Sequence, residues 1–103
     1  ENIMRDAKLL EEAGSFSMVL ECVQTSLAKQ VTKSVSIPTI GIGASNNCDG
    51  QILVFDDLIG LNPIKFRFVK KYSNIKTEIS KAVFKYASEV KKRKFPSKKY
   101  SFN

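Results

Sequence analysis

With 103 residues, 43% of them hydrophobic and 26% charged, the chain can form one small domain around a buried core. No apolar run approaches the ~18 residues of a membrane span, and with no histidine and two isolated cysteines, Cys22 and Cys48, a zinc site is disfavoured and two free thiols in a reducing cytoplasm are expected. The net charge of +7 is split: residues 1–61 set Arg5, Lys8, Lys29 and Lys33 against eight acids, a balance of −4, while residues 62–103 set thirteen Lys/Arg against Glu78 and Glu89, a balance of +11.

Ile3, Met4, Ala7, Leu10 and Ala13 recur at helical spacing, and Gly14 follows where a helix C-cap belongs, so a helix is predicted over 3–13. Phe16 to Val23 is a short, nearly continuous apolar run between helical patterns, which predicts a buried parallel strand. Thr25 or Ser26 is placed to cap a second helix with Leu27, Ala28, Val31 and Val35 on one face. Pro38 ends that connection, and Ile37–Ile42 reads as a strand closing in Gly41-Ile42-Gly43. This alternation predicts α/β architecture with crossover connections.

Ala44–Gly50 is a turn-rich loop before a third strand, Gln51–Phe55. Seven residues are fewer than the dozen or more of an ordinary helical crossover, so pattern alone predicts a hairpin here. Asp56–Leu61 reads as a short helical turn ended by Gly60 and Asn62-Pro63. The last helix has an apolar stripe of Ile75, Ile79, Ala82, Val83, Tyr86 and Val90, with Asn74 placed to cap it and Lys76, Lys81, Lys85, Lys91 and Lys92 off the stripe. Most of the basic charge is therefore expected to be that helix's wet face. Three strands and their helices leave two sheet edges open, which folded proteins avoid. With no initiator Met at the start, the rest of one polypeptide is expected to supply the missing partners.

Glu21 stands out chemically, as a carboxylate at the C-terminal end of a strand that otherwise reads as core. In α/β barrels that end of the strands faces the active site, and an apolar setting would raise its pKa toward that of a general base. The competing reading is a structural Glu paired with a Lys or capping the next helix. Gly41 and Gly43 lack the third glycine of a dinucleotide fingerprint, so tight packing or a strained turn is expected there. Asp49, Asp56 and Asp57 do not form a calcium-loop pattern and suit turn and capping roles.

Several segments then align with one family. Asp6-Ala7, Leu9-Leu10-Glu11-Glu12-Ala13-Gly14, Val19-Leu20-Glu21-Cys22-Val23, Ile37-Pro38-Thr39-Ile40-Gly41-Ile42-Gly43-Ala44 and Cys48-Asp49-Gly50-Gln51-Ile52-Leu53-Val54 resemble, in order and spacing, ketopantoate hydroxymethyltransferases. Phe68-Val69-Lys70-Lys71-Tyr72 and Phe95-Pro96 with Tyr100-Ser101-Phe102 resemble that family's C-terminal end.

The resemblance implies a (β/α)₈ TIM barrel of the phosphoenolpyruvate mutase and isocitrate lyase type. Residues 1–103 would be the C-terminal portion of that one domain, about strands six to eight with flanking helices, since a whole barrel needs ~250 residues. Under it the third strand runs parallel to the second rather than as a hairpin. It also implies transfer of a hydroxymethyl group from 5,10-methylenetetrahydrofolate to 3-methyl-2-oxobutanoate, giving ketopantoate for pantothenate synthesis in the cytoplasm. Tetrahydrofolate, Mg²⁺ with ligands outside this chain, and a large homo-oligomeric ring are implied with it. Glu21 matches the family's proton acceptor, and Ile42 and Val54 match strand positions lining the substrate pocket. The chain departs from the family pattern at Gln24, where Pro is frequent, and at Asp56, where His is common. Two other readings are a different keto-acid lyase or mutase of the same barrel superfamily, and a basic fragment binding nucleic acid or another polyanion. A stacking platform would be built from aromatics among the charges, whereas Tyr72 and Tyr86 fit helix or core positions better, which weighs against the latter.

Overall fold

A computed structural model describes residues 2–102 of the chain. They fall into two compact units, Glu1–Phe55 with Lys65–Lys70, and Asp56–Ile64 with Lys71–Asn103.

The first unit begins with α1 (Asn2–Glu12), followed by β1 (Met18–Glu21), α2 (Thr25–Ser34), β2 (Thr39–Ile42) and the two-residue β3 (Gly50–Gln51). Gly14, at φ +97°, ends α1 as its sequence position predicts, and Ser15 N–H closes the turn on Leu10 O at 3.1 Å. The first residue of α2 is Thr25, but its N-cap is Gln24 and no side chain bonds the free N–H groups, so the expected Thr25 or Ser26 cap is absent. Thr25 Oγ1 instead donates to Ala44 O at 3.4 Å.

The strands form a parallel sheet in the order β1-β2-β3. Burial alternates along β1 and β2, and among the described residues only one face of the sheet is fully covered, Ile40 and Ile42 on the other face being half-buried. Met18, Leu20, Thr39 and Gly41 lie on the covered face with Ala28, Val31 and Val35 of the second helical segment and Ala7 of α1. Filling this core with branched side chains such as the fully buried Val31 contributes about 1.5–3 kcal/mol per side chain. The β1 segment is thus a half-buried strand, shorter than the buried Phe16–Val23 run predicted, with Val19 and Glu21 exposed among the described residues.

The predicted hairpin between β2 and β3 is not formed; the pairing is parallel, with Ile40 opposite Gly50 and Gly41 opposite Gln51. A helix is unnecessary in this crossover because β3 meets only the middle of β2, so the chain backs up by about two residues before pairing. Two side chains, Asp49 and Gln51, hold the return. The Asp49 carboxylate accepts Thr39 N–H at 2.8 Å and the Thr39 hydroxyl at 3.3 Å, and the Gln51 carboxamide donates to Ser45 O. The buried Thr39 hydroxyl also lies 2.8 Å from that of Thr32, tying the crossover to α2. Asp49 therefore does the turn-building work expected of it.

In the second unit, the short α3 (Phe55–Leu58) begins one residue earlier than predicted, at the position expected to end the third strand. The buried Asp57 carboxylate accepts Asn62 Nδ2 at 2.8 Å, and Leu61 N–H returns to Asp56 O at 2.8 Å. The backbone leading into α4 (Ile75–Lys91) lies against this turn, with Tyr72 N–H on Leu58 O at 2.8 Å and Ile75 N–H on Ile59 O at 3.0 Å. Asn74 is the N-cap, as predicted, without a side-chain bond. No residue of α4 is buried, so its predicted apolar stripe is uncovered by the described residues. Beyond it Phe95 folds back, its ring 5.6 Å from Tyr86 and 5.8 Å from Tyr100.

Candidate active site

Strand register decides which candidate side chains meet. Glu21 ends β1 opposite Ile42, the last residue of β2, and laterally paired residues of a parallel sheet point to the same face. Glu21 and Ile42 are therefore neighbours at the C-terminal edge of the less covered face, with Val19 and Ile40 one step behind them. Ile52 extends this edge through its N–H bond to Gly41 O at 3.0 Å. Val54 lies beyond the paired part of β3 and is 55% exposed, so no strand pairing places it beside the other two.

The apolar enclosure expected around Glu21 is not built by the described residues, among which β1 has a neighbouring strand on one side alone. Its side chain is exposed. It borders a hollow of about 180 Å³ along that edge, shared with Ile3, Leu10 and Val19. The structural alternatives for Glu21 find no support either. The described ion pairs are Arg5–Asp6 and Lys81–Glu78, no hydrogen bond is made by the Glu21 carboxylate, and the cap of α2 is Gln24. Glu21 is thus a strand-end carboxylate without a partner among the described residues.

Immediately after Glu21, Cys22 adopts φ +52° while its N–H donates to Ile42 O at 2.9 Å, and this turns the chain away from the sheet. The two glycines of the Gly41-Ile42-Gly43 segment serve packing and turn geometry, as predicted. A Cβ on Gly41 would come within 2.9 Å of Gln51 Nε2 and 3.2 Å of Cys48 Sγ, so a side chain there would push out the group that holds the β2–β3 return. Gly43 combines φ +64° with close contact to Phe68, whose Cγ would lie 2.8 Å from an added Cβ. Gly43→Ala is expected to destabilise the fold by about 1–2 kcal/mol from the left-handed backbone alone, with displacement of Phe68 in addition. A fall in the urea midpoint together with a changed Phe68 environment by NMR would check this.

Past the strand ends opens a cleft of about 870 Å³, bordered by Cys22, Gln24, Gly43, Asn46 and, from the segment 65–70, Arg67 and Phe68. In the sequence Arg67 is one of thirteen basic residues past Leu61. Its place at the cleft depends on the non-local contact of Phe68 with Gly43, which no local pattern announces. Among the described residues no three of His, Cys, Asp and Glu converge as metal ligands, and Asp49, Asp56 and Asp57 serve backbone and side-chain bonds instead. Cys22 is exposed and Cys48 buried, both as free thiols.

A mixed α/β unit with a parallel sheet, helices on one face and a cleft outside the carboxyl ends of the strands belongs to the class whose ligands bind at that end. The particular relationship is closer than class: a family model described as ketopantoate hydroxymethyltransferase matches residues 1–98, and the chain belongs to that family. It is 64% identical over 100 residues to the 3-methyl-2-oxobutanoate hydroxymethyltransferase of Pelagibacter ubique, covering 97% of this chain and 39% of that protein. It is 55% identical over 103 residues to the protein of that name from Clostridium kluyveri, with 99% of this chain and 37% of the relative covered. The corresponding figures for that of Clostridium botulinum strain Langeland are 50% identity, 99% and 38%. The chain therefore spans less than two fifths of the length of these curated relatives.

Proposed function

We propose that this chain is the C-terminal part of a 3-methyl-2-oxobutanoate hydroxymethyltransferase and contributes the general base of its active site. In this reading residues 1–103 belong to a single (β/α)₈ domain and supply about its sixth to eighth strands. The unpaired edges of β1 and β3 and the less covered sheet face are what such a portion leaves exposed.

The observation that carries the proposal is Glu21: a carboxylate without a partner among the described residues, at the C-terminal end of a strand, beside Ile42, in a chain of this family. Ketopantoate formation needs a proton removed from C3 of 3-methyl-2-oxobutanoate, next to its ketone. The Glu21 carboxylate takes that proton and the C–H electron pair stays with the substrate as an enolate; water supplies the oxygen of the one-carbon unit as both its C–N bonds to tetrahydrofolate break, and C3 of the enolate attacks that formaldehyde-level carbon, whose oxygen takes up a proton to become the new hydroxyl. Ile42 supplies an apolar wall against the substrate's methyl groups, and Val54 a second one farther along the rim.

Mg²⁺, which the family resemblance implies, does not fit the described residues, since they offer no ligand set for it. Its ligands are assigned to parts of the barrel outside this chain. A homo-oligomer in the cytoplasm completes the reading, and no helix of the structure is long and apolar enough to cross a membrane. The test is ketopantoate formation by the protein that carries this chain, supplied with 3-methyl-2-oxobutanoate, 5,10-methylenetetrahydrofolate and Mg²⁺. Consumption of both substrates with release of tetrahydrofolate is expected, and no product under these conditions would reject the proposal.

A further inference from the structure

Only Cys22, Val23 and Gln24 join β1 to α2, and the backbone is unusual at the first of them. Among the described residues two besides glycine have positive φ, Cys22 at +52° and Arg93 at +56°. Arg93 follows the C-cap of α4, where a left-handed residue commonly ends a helix. Cys22 ends no helix. The left-handed region crowds the Cβ of an L-residue against the following carbonyl oxygen, so the conformation persists only where the surroundings fix it.

Its consequence is written in the pleat. Along β1, Met18 and Leu20 lie on the covered face and Val19 and Glu21 on the other, so continued alternation would send residue 22 into the core. It is Val23 that packs against the core instead. The left-handed turn at Cys22 thus shifts the alternation by one residue and leaves Glu21 as the last strand side chain on its face. The Cys22 N–H still donates to Ile42 O at 2.9 Å, while Glu21 itself is paired with Ile42. The Glu21 Cα is therefore held on both sides, by the β1–β2 ladder before it and by a pinned peptide after it. That fixes the direction of its Cα–Cβ bond through contacts that all lie within this chain.

We propose that Cys22 is a positioning residue for the base, acting through its left-handed backbone and not through its thiol, and that this turn aims the Glu21 carboxylate at the substrate carbon. The assignment rests on the reading of Glu21 as the base. Misplacing a reacting group by about 1 Å can cost about 10²-fold in rate, so a fixed Cα–Cβ direction is worth keeping at the expense of a strained residue.

The experiment follows exchange of the C3 proton of 3-methyl-2-oxobutanoate in D₂O by NMR, over a range of keto-acid concentrations. It uses the protein that carries this chain, unsubstituted and as Cys22→Ala, Cys22→Gly, Cys22→Val, Cys22→Thr and Glu21→Gln, with urea midpoints measured on each. Alanine removes the thiol at a similar backbone cost and glycine removes the cost itself, so both should exchange at close to the unsubstituted rate. Glycine should have the higher midpoint of the two, because a methyl group is disfavoured at positive φ. Valine and threonine are β-branched and are driven out of the left-handed region. For both, kcat of exchange is expected to fall about 10- to 10²-fold with KM little changed, and threonine gives the reading if Cys22→Val does not fold. Undiminished kcat in either folded β-branched variant, with Glu21→Gln slow, overturns the positioning role and leaves the base reading standing. A loss in Cys22→Ala equal to that in Cys22→Val assigns the effect to the thiol and also overturns it. So does a lower midpoint for Cys22→Gly than for Cys22→Ala, whether or not the β-branched variants fold. Near-normal exchange in Glu21→Gln rejects the base reading itself.

Discussion

Glu21→Gln in the protein that carries this chain is expected to slow exchange of the C3 proton of 3-methyl-2-oxobutanoate by about 10²–10⁴-fold, the usual contribution of a positioned general base. The carboxamide keeps the shape of the side chain and cannot accept the proton. Because Glu21 is exposed and makes no ion pair or hydrogen bond among the described residues, the substitution should leave the denaturation midpoint unchanged. Binding of the keto acid should also persist, so the loss falls on the chemical step. Exchange is read directly as disappearance of the C3 methine signal in D₂O by NMR. Near-normal exchange in a folded Glu21→Gln protein would remove this residue as the base.

Gly60→Ala should give the largest stability change of any single methyl addition among the glycines. Gly60 is buried at φ +74°, and an added Cβ would lie 2.2 Å from Ser73 O and 3.1 Å from Asn74 Cα. Those are backbone atoms of the segment entering α4, which is held by the Tyr72–Leu58 and Ile75–Ile59 bonds and cannot swing aside as a side chain does. The left-handed backbone costs about 1–2 kcal/mol and the overpacking about 1–3 kcal/mol more, so a loss of roughly 2–5 kcal/mol is expected. Gly14→Ala is the control. Its φ of +97° carries a similar conformational cost, but nothing lies within 4 Å of the added methyl. Urea denaturation of both variants should separate them by the steric part, and equal losses would contradict the contact at Ser73.

Local pattern set much of the fold. The 3.6-residue spacing of Ala28, Val31 and Val35 places α2 against the sheet because a helix with one apolar stripe has one way to bury it. Gly14 stops α1 where a residue tolerant of positive φ was needed. Glu21 stood out because a charged residue at the end of an apolar strand conflicts with its surroundings, and a conflict of that kind is visible in one dimension.

Other features were decided by contacts between distant residues. The hairpin predicted at Ala44–Gly50 followed from loop length, but the direction of β3 is governed by Asp49 on Thr39, Gln51 over Gly41, and the core beneath them. Side-chain caps expected at Thr25 and Asn74 are not made, because capping depends on rotamers and competing acceptors such as Ala44 O. By itself the sequence determined the helices, the first two strands, the family resemblance and the identity of the candidate carboxylate, since these depend on residue type, order and spacing along the chain; the third strand, predicted over Gln51–Phe55, is paired only at Gly50–Gln51. Only the tertiary structure decided that Glu21 sits beside Ile42, that Val54 lies outside the paired strand, and that Arg67 and Phe68 reach the cleft. Register and loop packing bring together residues more than 20 positions apart, and no periodicity within a segment encodes which pairs will meet.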